Sequence, residues 1–133
     1  MSQENVRLLY EVISAFNRRD LDAYLALMDP EVEFTPYEVS VQGGQPYRGH
    51  AGIRTWWHDT FEVLPDLNVE VYEVRGVKDK VFVRGCLRGQ GAGSGAPIER
   101  PMWLATGWRE KLEVWWVAFQ NEAEALNAVG LEE

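Results

Sequence analysis

Four segments near the C-terminal end, residues 67–74, 81–88, 98–108 and 112–119, alternate with a period of two and are joined by short connections. Segments so closely strung pair as neighbouring strands of an antiparallel sheet. Residues two apart share a sheet face. In the second segment Val81, Val83, Gly85 and Leu87 point one way, and Phe82, Arg84, Cys86 and Arg88 the other. In the third, Met102, Leu104 and Thr106 oppose Trp103 and Ala105; in the fourth, Trp115, Val117 and Phe119 oppose Leu112, Val114, Trp116 and Ala118. Both faces are largely apolar, so neither can simply stay wet. One face takes the helices of this chain. The other, carrying Phe82, Trp103, Val114 and Trp116, needs cover from outside, and the expected partner is a second copy, giving a homodimer through the outer sheet face.

The helices come mostly before the sheet. Val6, Leu9, Tyr10, Ile13 and Phe16 fall at helical spacing, and Asn17-Arg18-Arg19-Asp20 reads as a stop, with Asp20 able to cap a second helix that runs to about residue 28. Asp29-Pro30 ends that helix, and residues 31–37 alternate as a strand. Residues 39–49, rich in glycine, read as an irregular loop, and a third helix spans about 50–64 with Ile53, Trp57, Phe61 and Leu64 on one face. A last helix, 121–129, stops at Gly130. The order α-α-β-α-β-β-β-β-α defines an α+β fold, a curved sheet with helices gathered on one face, and 133 residues make a single domain spanning 1–133.

Charge narrows the partners. Thirteen Lys and Arg against 21 Asp and Glu leave a net charge of −8, which disfavours nucleic acid and anionic membrane surfaces. No apolar run is long enough to span a bilayer, and the polar start MSQEN lacks the pattern of a signal peptide, so the expected compartment is the cytoplasm. Cys86 stands alone, and the two histidines, eight residues apart, make no recognisable ligand set with it, so neither a disulfide nor a metal is expected. Six Trp, five Tyr and five Phe are more flat apolar surface than a small core needs, which points to a lined cavity or an interface. The glycine-rich run 89–95 is followed by a strand rather than a helix, so it is a hairpin connection and not a phosphate loop.

The succession Phe16-Asn17-Arg18-Arg19-Asp20-Leu21, Asp29-Pro30-Glu31-Val32-Glu33-Phe34, Tyr47-Arg48-Gly49-His50-Ala51-Gly52-Ile53 and Leu64-Pro65-Asp66-Leu67 resembles the SnoaL-like family of the NTF2-like superfamily. The closing Glu122-Ala123-Glu124-Ala125-Leu126 fits the same pattern. The resemblance implies the cone-shaped fold shared with ketosteroid isomerase, scytalone dehydratase and limonene-epoxide hydrolase, with a pocket between helices and concave sheet. By position, that pocket would be lined by Met28, Phe34, Pro36, Trp57, Phe61, Leu87, Met102, Leu104, Trp115, Val117 and Phe119, with Gly85 leaving room. The positions of the isomerase base, tyrosine and protonated acid are taken by Pro36, Val12 and Leu104, so that reaction is not expected. No Asp-Arg-Asp epoxide-hydrolase set can be assembled at matching positions.

Three residues are candidates for chemistry. His58 can exchange protons near neutral pH if it borders the cavity, although it sits about 100° round the helix from Trp57, where rim or solvent is the ordinary place. Glu38 follows the position of the isomerase base; against an apolar pocket its carboxyl could serve as a base, whereas an exposed loop glutamate is the commoner case. Tyr24 on the second helix is either a packed core residue or a hydrogen-bond donor into the cavity. Glu99 and Arg100 read as a solvated pair near the mouth. The expected function is binding of a small, largely apolar molecule, with cofactor-free acid–base chemistry on a polyketide-, steroid- or terpenoid-like substrate. The alternatives are a non-catalytic binder and a protein-interaction module on the same fold.

Overall fold

A computed structural model describes residues 2–90, 95 and 97–131. The chain runs α1 (Ser2–Asn17), α2 (Leu21–Ala26), β1 (Met28–Thr35), α3 (Tyr37–Gln42), β2 (Tyr47–Arg48), α4 (Gly49–Val63), β3 (Asn68–Val77), β4 (Lys80–Gln90), β5 (Pro97–Arg109), β6 (Leu112–Phe119) and α5 (Glu122–Ala128). The strands form one six-stranded sheet in the order β2-β1-β6-β5-β4-β3. β1 runs parallel to β6, and every other neighbouring pair is antiparallel. The architecture is the expected α+β cone, with α1, α2 and α4 inside the curve of the sheet.

Local chemistry explains the joints. Asn17 ends α1 and clamps β3, its amide donating to the Val69 carbonyl at 2.9 Å while its oxygen accepts from the Val69 N–H at 2.8 Å. Arg19, in the left-handed region at φ 63°, donates to the Pro65 carbonyl at 2.9 Å and lies 4.0 Å over the Phe61 ring. Asp20 then caps α2 by accepting from the Ala23 N–H at 3.1 Å. The Phe16–Leu21 stretch is therefore a bracket that fixes both helices against the sheet.

Two boundaries depart from expectation. β1 starts at Met28 and takes in Asp29-Pro30, so Pro30 sits within the strand. The short helix α3 begins at Tyr37, within the expected strand, and takes the first part of the expected 39–49 loop; the two-residue strand β2 follows and pairs with β1 through Glu33↔Arg48 and Phe34↔Tyr47. Residues 91–94 and 96 of the glycine-rich connection lie outside the described residues.

The outer face differs more. Helix α5 folds back across it and buries Phe82 and Ala105 completely, together with Ala125, Leu126 and Val129. Much of the cover expected from a second copy therefore comes from this chain. The face assignment of β6 is also corrected. Leu104 opposes Ala118 and Thr106 opposes Trp116 on the inner face, while Ala105 opposes Val117 and Gly107 opposes Trp115 on the outer. Trp116 thus points inward, and Trp115 and Val117 outward. A bulge is the reason. Trp108 pairs with Glu113 but Gly107 with Trp115, so β6 carries one extra residue, Val114. The Trp115 indole lies across Gly107, where a β-carbon would come within 2.0 Å of the ring nitrogen. Trp115, Trp103 and Phe119 pack against the α5 cluster.

Candidate functional site

Between the helices and the inner sheet face lies a cavity of about 380 Å³. Its deep wall is apolar and aromatic: Val12, Ile13 and Phe16 from α1, Tyr24 from α2, Trp56 from α4, and Met102, Leu104, Trp116 and Ala118 from the sheet. Behind that wall the rings brace one another. Phe34, fully buried, stacks on Trp116 with centroids 4.2 Å apart and planes 15° apart, and lies 4.5 Å from Trp56. Phe16 stacks on Trp56 at 6.0 Å. Rings held this way cannot collapse into the space without breaking several contacts at once.

The mouth is polar. Tyr37 and Glu38 from α3, Tyr47 from β2, Asp59 and Thr60 from α4, and Arg100 from β5 stand around it. Helix α3 is anchored to the end of β6, where the Ser40 hydroxyl donates to the Ala118 carbonyl at 2.5 Å and the Gln120 amide donates to the Ser40 carbonyl at 3.1 Å. That anchor holds Tyr37 and Glu38 at the rim. The Arg100 guanidinium lies 4.1 Å over the Tyr37 ring, within cation–π distance.

Of the expected lining residues, Pro36, Leu87, Met102, Leu104 and Phe119 border the cavity, as do the candidates Glu38 and Tyr24. Glu38 is exposed there, whereas Tyr24 is buried, and that burial is the main cause that pushes its phenol well above the usual range. Met28, Phe34, Trp57 and Phe61 belong to the packed core beside the cavity rather than to its surface. Trp57 sits among Phe16, Tyr24 and Phe61 at 5.6, 4.9 and 5.0 Å, because α4 turns its neighbour Trp56 toward the open space. Trp115 and Val117 are excluded by the β6 bulge. Gly85 leaves no room in the cone: a β-carbon there would meet the Glu70 carbonyl, which approaches at the irregularity of β3. His58 is corrected outright. Its side chain is 78% exposed and faces Glu62 at 3.3 Å, one turn along α4, away from the cavity. His50 bonds the Met28 carbonyl at 2.9 Å and ties α4 to β1.

Two residues of consequence escape the sequence reading. Arg100 does not pair with Glu99; Glu99 turns outward to Arg88 at 2.9 Å and Arg100 turns toward the cavity. Strand alternation carries that signal, since sequence neighbours on a strand face opposite ways. The other is Glu113, fully buried beside α2, with neither carboxylate oxygen hydrogen-bonded among the described residues. Burial pushes its carboxyl well above the usual range. Among the described residues no cluster of His, Cys, Asp and Glu could hold a metal ion, and no helix is long and apolar enough to cross a membrane.

A cone of α+β architecture, open at one end over an aromatic cavity, defines the structural class. The chain belongs to the SnoaL-like domain family, which matches residues 6–118. No curated protein matches it by sequence. Solved structures agree on the fold. An NTF2-like protein of unknown function from Burkholderia pseudomallei superposes with a TM-score of 0.79 at 20% identity, over 96% of this chain and 98% of that one. A putative polyketide cyclase from Xanthomonas campestris gives 0.79 at 18% identity, over 97% and 98%. IdmH, a putative polyketide cyclase from Streptomyces antibioticus, gives 0.74 at 22% identity, over 86% and 91%.

Proposed function

We propose that the chain binds a small, largely apolar, ring-containing molecule in the cavity and acts on it by cofactor-free acid–base chemistry. The observation that carries this reading is the separation of the lining: aromatic and aliphatic side chains at depth, charged ones at the mouth. Such a site desolvates an apolar skeleton and leaves its reacting edge beside polar groups. The two similar structures described as putative polyketide cyclases support the same substrate class.

In a ring closure of that class, Glu38 would take a proton from a carbon flanked by carbonyls. The resulting enolate carbon would attack a second carbonyl carbon, and the alkoxide so formed would recover a proton. Every atom is conserved and nothing is oxidised or reduced. Tyr24, a neutral phenol whose release of a proton is made harder still by burial, is a hydrogen-bond donor for a carbonyl oxygen deep in the cavity. One observation favours a binder without turnover: the Glu38 side chain is exposed rather than buried against the apolar wall.

Native mass spectrometry of the purified protein, followed by mild denaturation to release retained compounds, tests the reading. A stoichiometric aromatic or polycyclic compound is the expected result. With it as substrate, Glu38→Gln and Tyr24→Phe should lower turnover while retaining binding; unchanged turnover would remove those two residues from the mechanism. A protein that retains nothing and binds no compound in a panel of polyketides, steroids and terpenoids would overturn the reading. We further propose that a second copy covers what α5 leaves of the outer face, where Trp103, Trp115, Val117 and Phe119 stay partly exposed. Sedimentation equilibrium at the monomer mass would contradict that.

A further inference from the structure

The cavity is walled by apolar groups, yet one cation is built into it. Among the described residues lining the space, Arg100 is the only basic one. It is half-buried, and its Nε is shut off from solvent with no hydrogen-bond partner among the described residues. The neighbouring carboxylates do not neutralise it. Glu99 is committed to Arg88, and neither Glu38 nor Asp59, the two acidic residues at the mouth, forms an ion pair with it. Tyr37 lies against the guanidinium at 4.1 Å. That contact covers one planar face and steadies the group, while the N–H edges, which form the hydrogen bonds, are not used by the ring.

A half-buried guanidinium whose Nε–H is shut off from solvent and unpaired among the described residues is costly unless an acceptor arrives. Before a ligand enters, water can serve only the exposed part of this half-buried group, and a ligand that fills the apolar cavity displaces that water. An anionic oxygen on the ligand would restore the bonds, and in a site shielded from solvent it would do so with a charge-assisted geometry that suits a planar fork. We infer that the ligand carries one acidic oxygen function, a carboxylate or an acidic enol or phenol, on an otherwise apolar ring skeleton, and that Arg100 backed by Tyr37 is its anchor. The acid group then sits at the mouth and the rings point toward Phe16, Trp56 and Trp116. A cationic or wholly neutral ligand of the same shape leaves Arg100 desolvated without a partner and is selected against.

This inference rests on the cavity being a binding site, so the test separates the two. Fluorescence titration with anilinonaphthalene sulfonate and its neutral parent, N-phenylnaphthylamine, compares one apolar skeleton with and without an anion. The wild-type protein should bind the sulfonate roughly tenfold more tightly or better, in spite of the chain's net charge of −8. Arg100→Gln should abolish that preference, and Arg100→Lys should recover only part of it, because an ammonium lacks the fork and the stacking on Tyr37. Leu87→Trp, which fills the cavity from β4, should weaken both probes; Ala118→Phe serves as a second filling variant should the first not fold. If both probes bind with equal affinity, or if Arg100→Gln leaves the preference intact, the anion inference is overturned and the cavity reading stands. If neither probe binds, or if the filling variants leave both affinities unchanged, the cavity reading fails and the inference fails with it.

Discussion

Replacing Glu113 by glutamine should make the protein progressively more stable than the wild type as the pH rises. Glu113 is held on β6 by its backbone N–H, which donates to the Leu27 carbonyl at 2.9 Å, so the side chain cannot swing to solvent without tearing the β1–β6 junction. Its carboxyl has no accessible surface and no hydrogen-bond partner among the described residues. The folded state therefore keeps it protonated above the pH at which the unfolded chain releases that proton. Because the folded pKa is raised, the favourable linkage is complete below the unfolded value of about 4.3 and is lost as pH climbs toward the folded one. The loss is about 1.4 kcal/mol per pH unit in that window, or roughly 3 kcal/mol from pH 5 to 7 if the proton stays on throughout. Glutamine carries no such dependence. Urea unfolding followed by tryptophan fluorescence at pH 5, 6 and 7 measures the difference directly. Other carboxylates such as the partly exposed Glu73, held low mainly by its hydrogen bond from Arg75, contribute to both proteins and cancel. The gap between variant and wild type should widen with pH and level off at the folded pKa. A gap that is constant or narrows with pH would refute the argument that Glu113 is buried as a neutral acid.

Other expectations follow from the packing. Trp116→Ala unstacks Phe34 and opens the cavity wall, and should cost about 3 kcal/mol or more in urea unfolding. Gly107→Ala drives a methyl into the Trp115 indole and should cost about 1–3 kcal/mol, with a changed near-ultraviolet circular dichroism spectrum from the displaced ring. His58→Ala, at an exposed site on the far side of α4, should change stability by less than about 0.5 kcal/mol and leave probe binding unaltered.

These residues also show where sequence patterning reads true. The inward face of β5 is legible because Met102 and Leu104 alternate with Trp103 and Ala105 on a strand whose inner pairing is regular. β6 is not, because both of its faces are apolar and a single extra residue at Val114 inverts the facing of the two tryptophans beyond it. Trp56 and Trp57 pose the helical version of the same ambiguity: both are buried, and only the packing of Phe16 and Phe34 decides which one meets the open space. Helix α3 is hidden because six residues are too few to show a period, and it has no fully buried residue to mark a face. Tyr24 and Glu38 are visible as types, but whether each is buried or exposed comes from tertiary structure alone.

The central claim is that an apolar molecule enters the space between the helices and the inner sheet face. Of the three methionines, Met102 lines that space, while Met28 is buried outside its lining. Methyl-labelled methionine spectra recorded during titration with N-phenylnaphthylamine therefore report the site directly. A saturable shift of the Met102 methyl, with Met28 nearly stationary, is the predicted result. A probe that binds without moving Met102, or that moves Met28 as strongly, would place the ligand elsewhere and contradict the account.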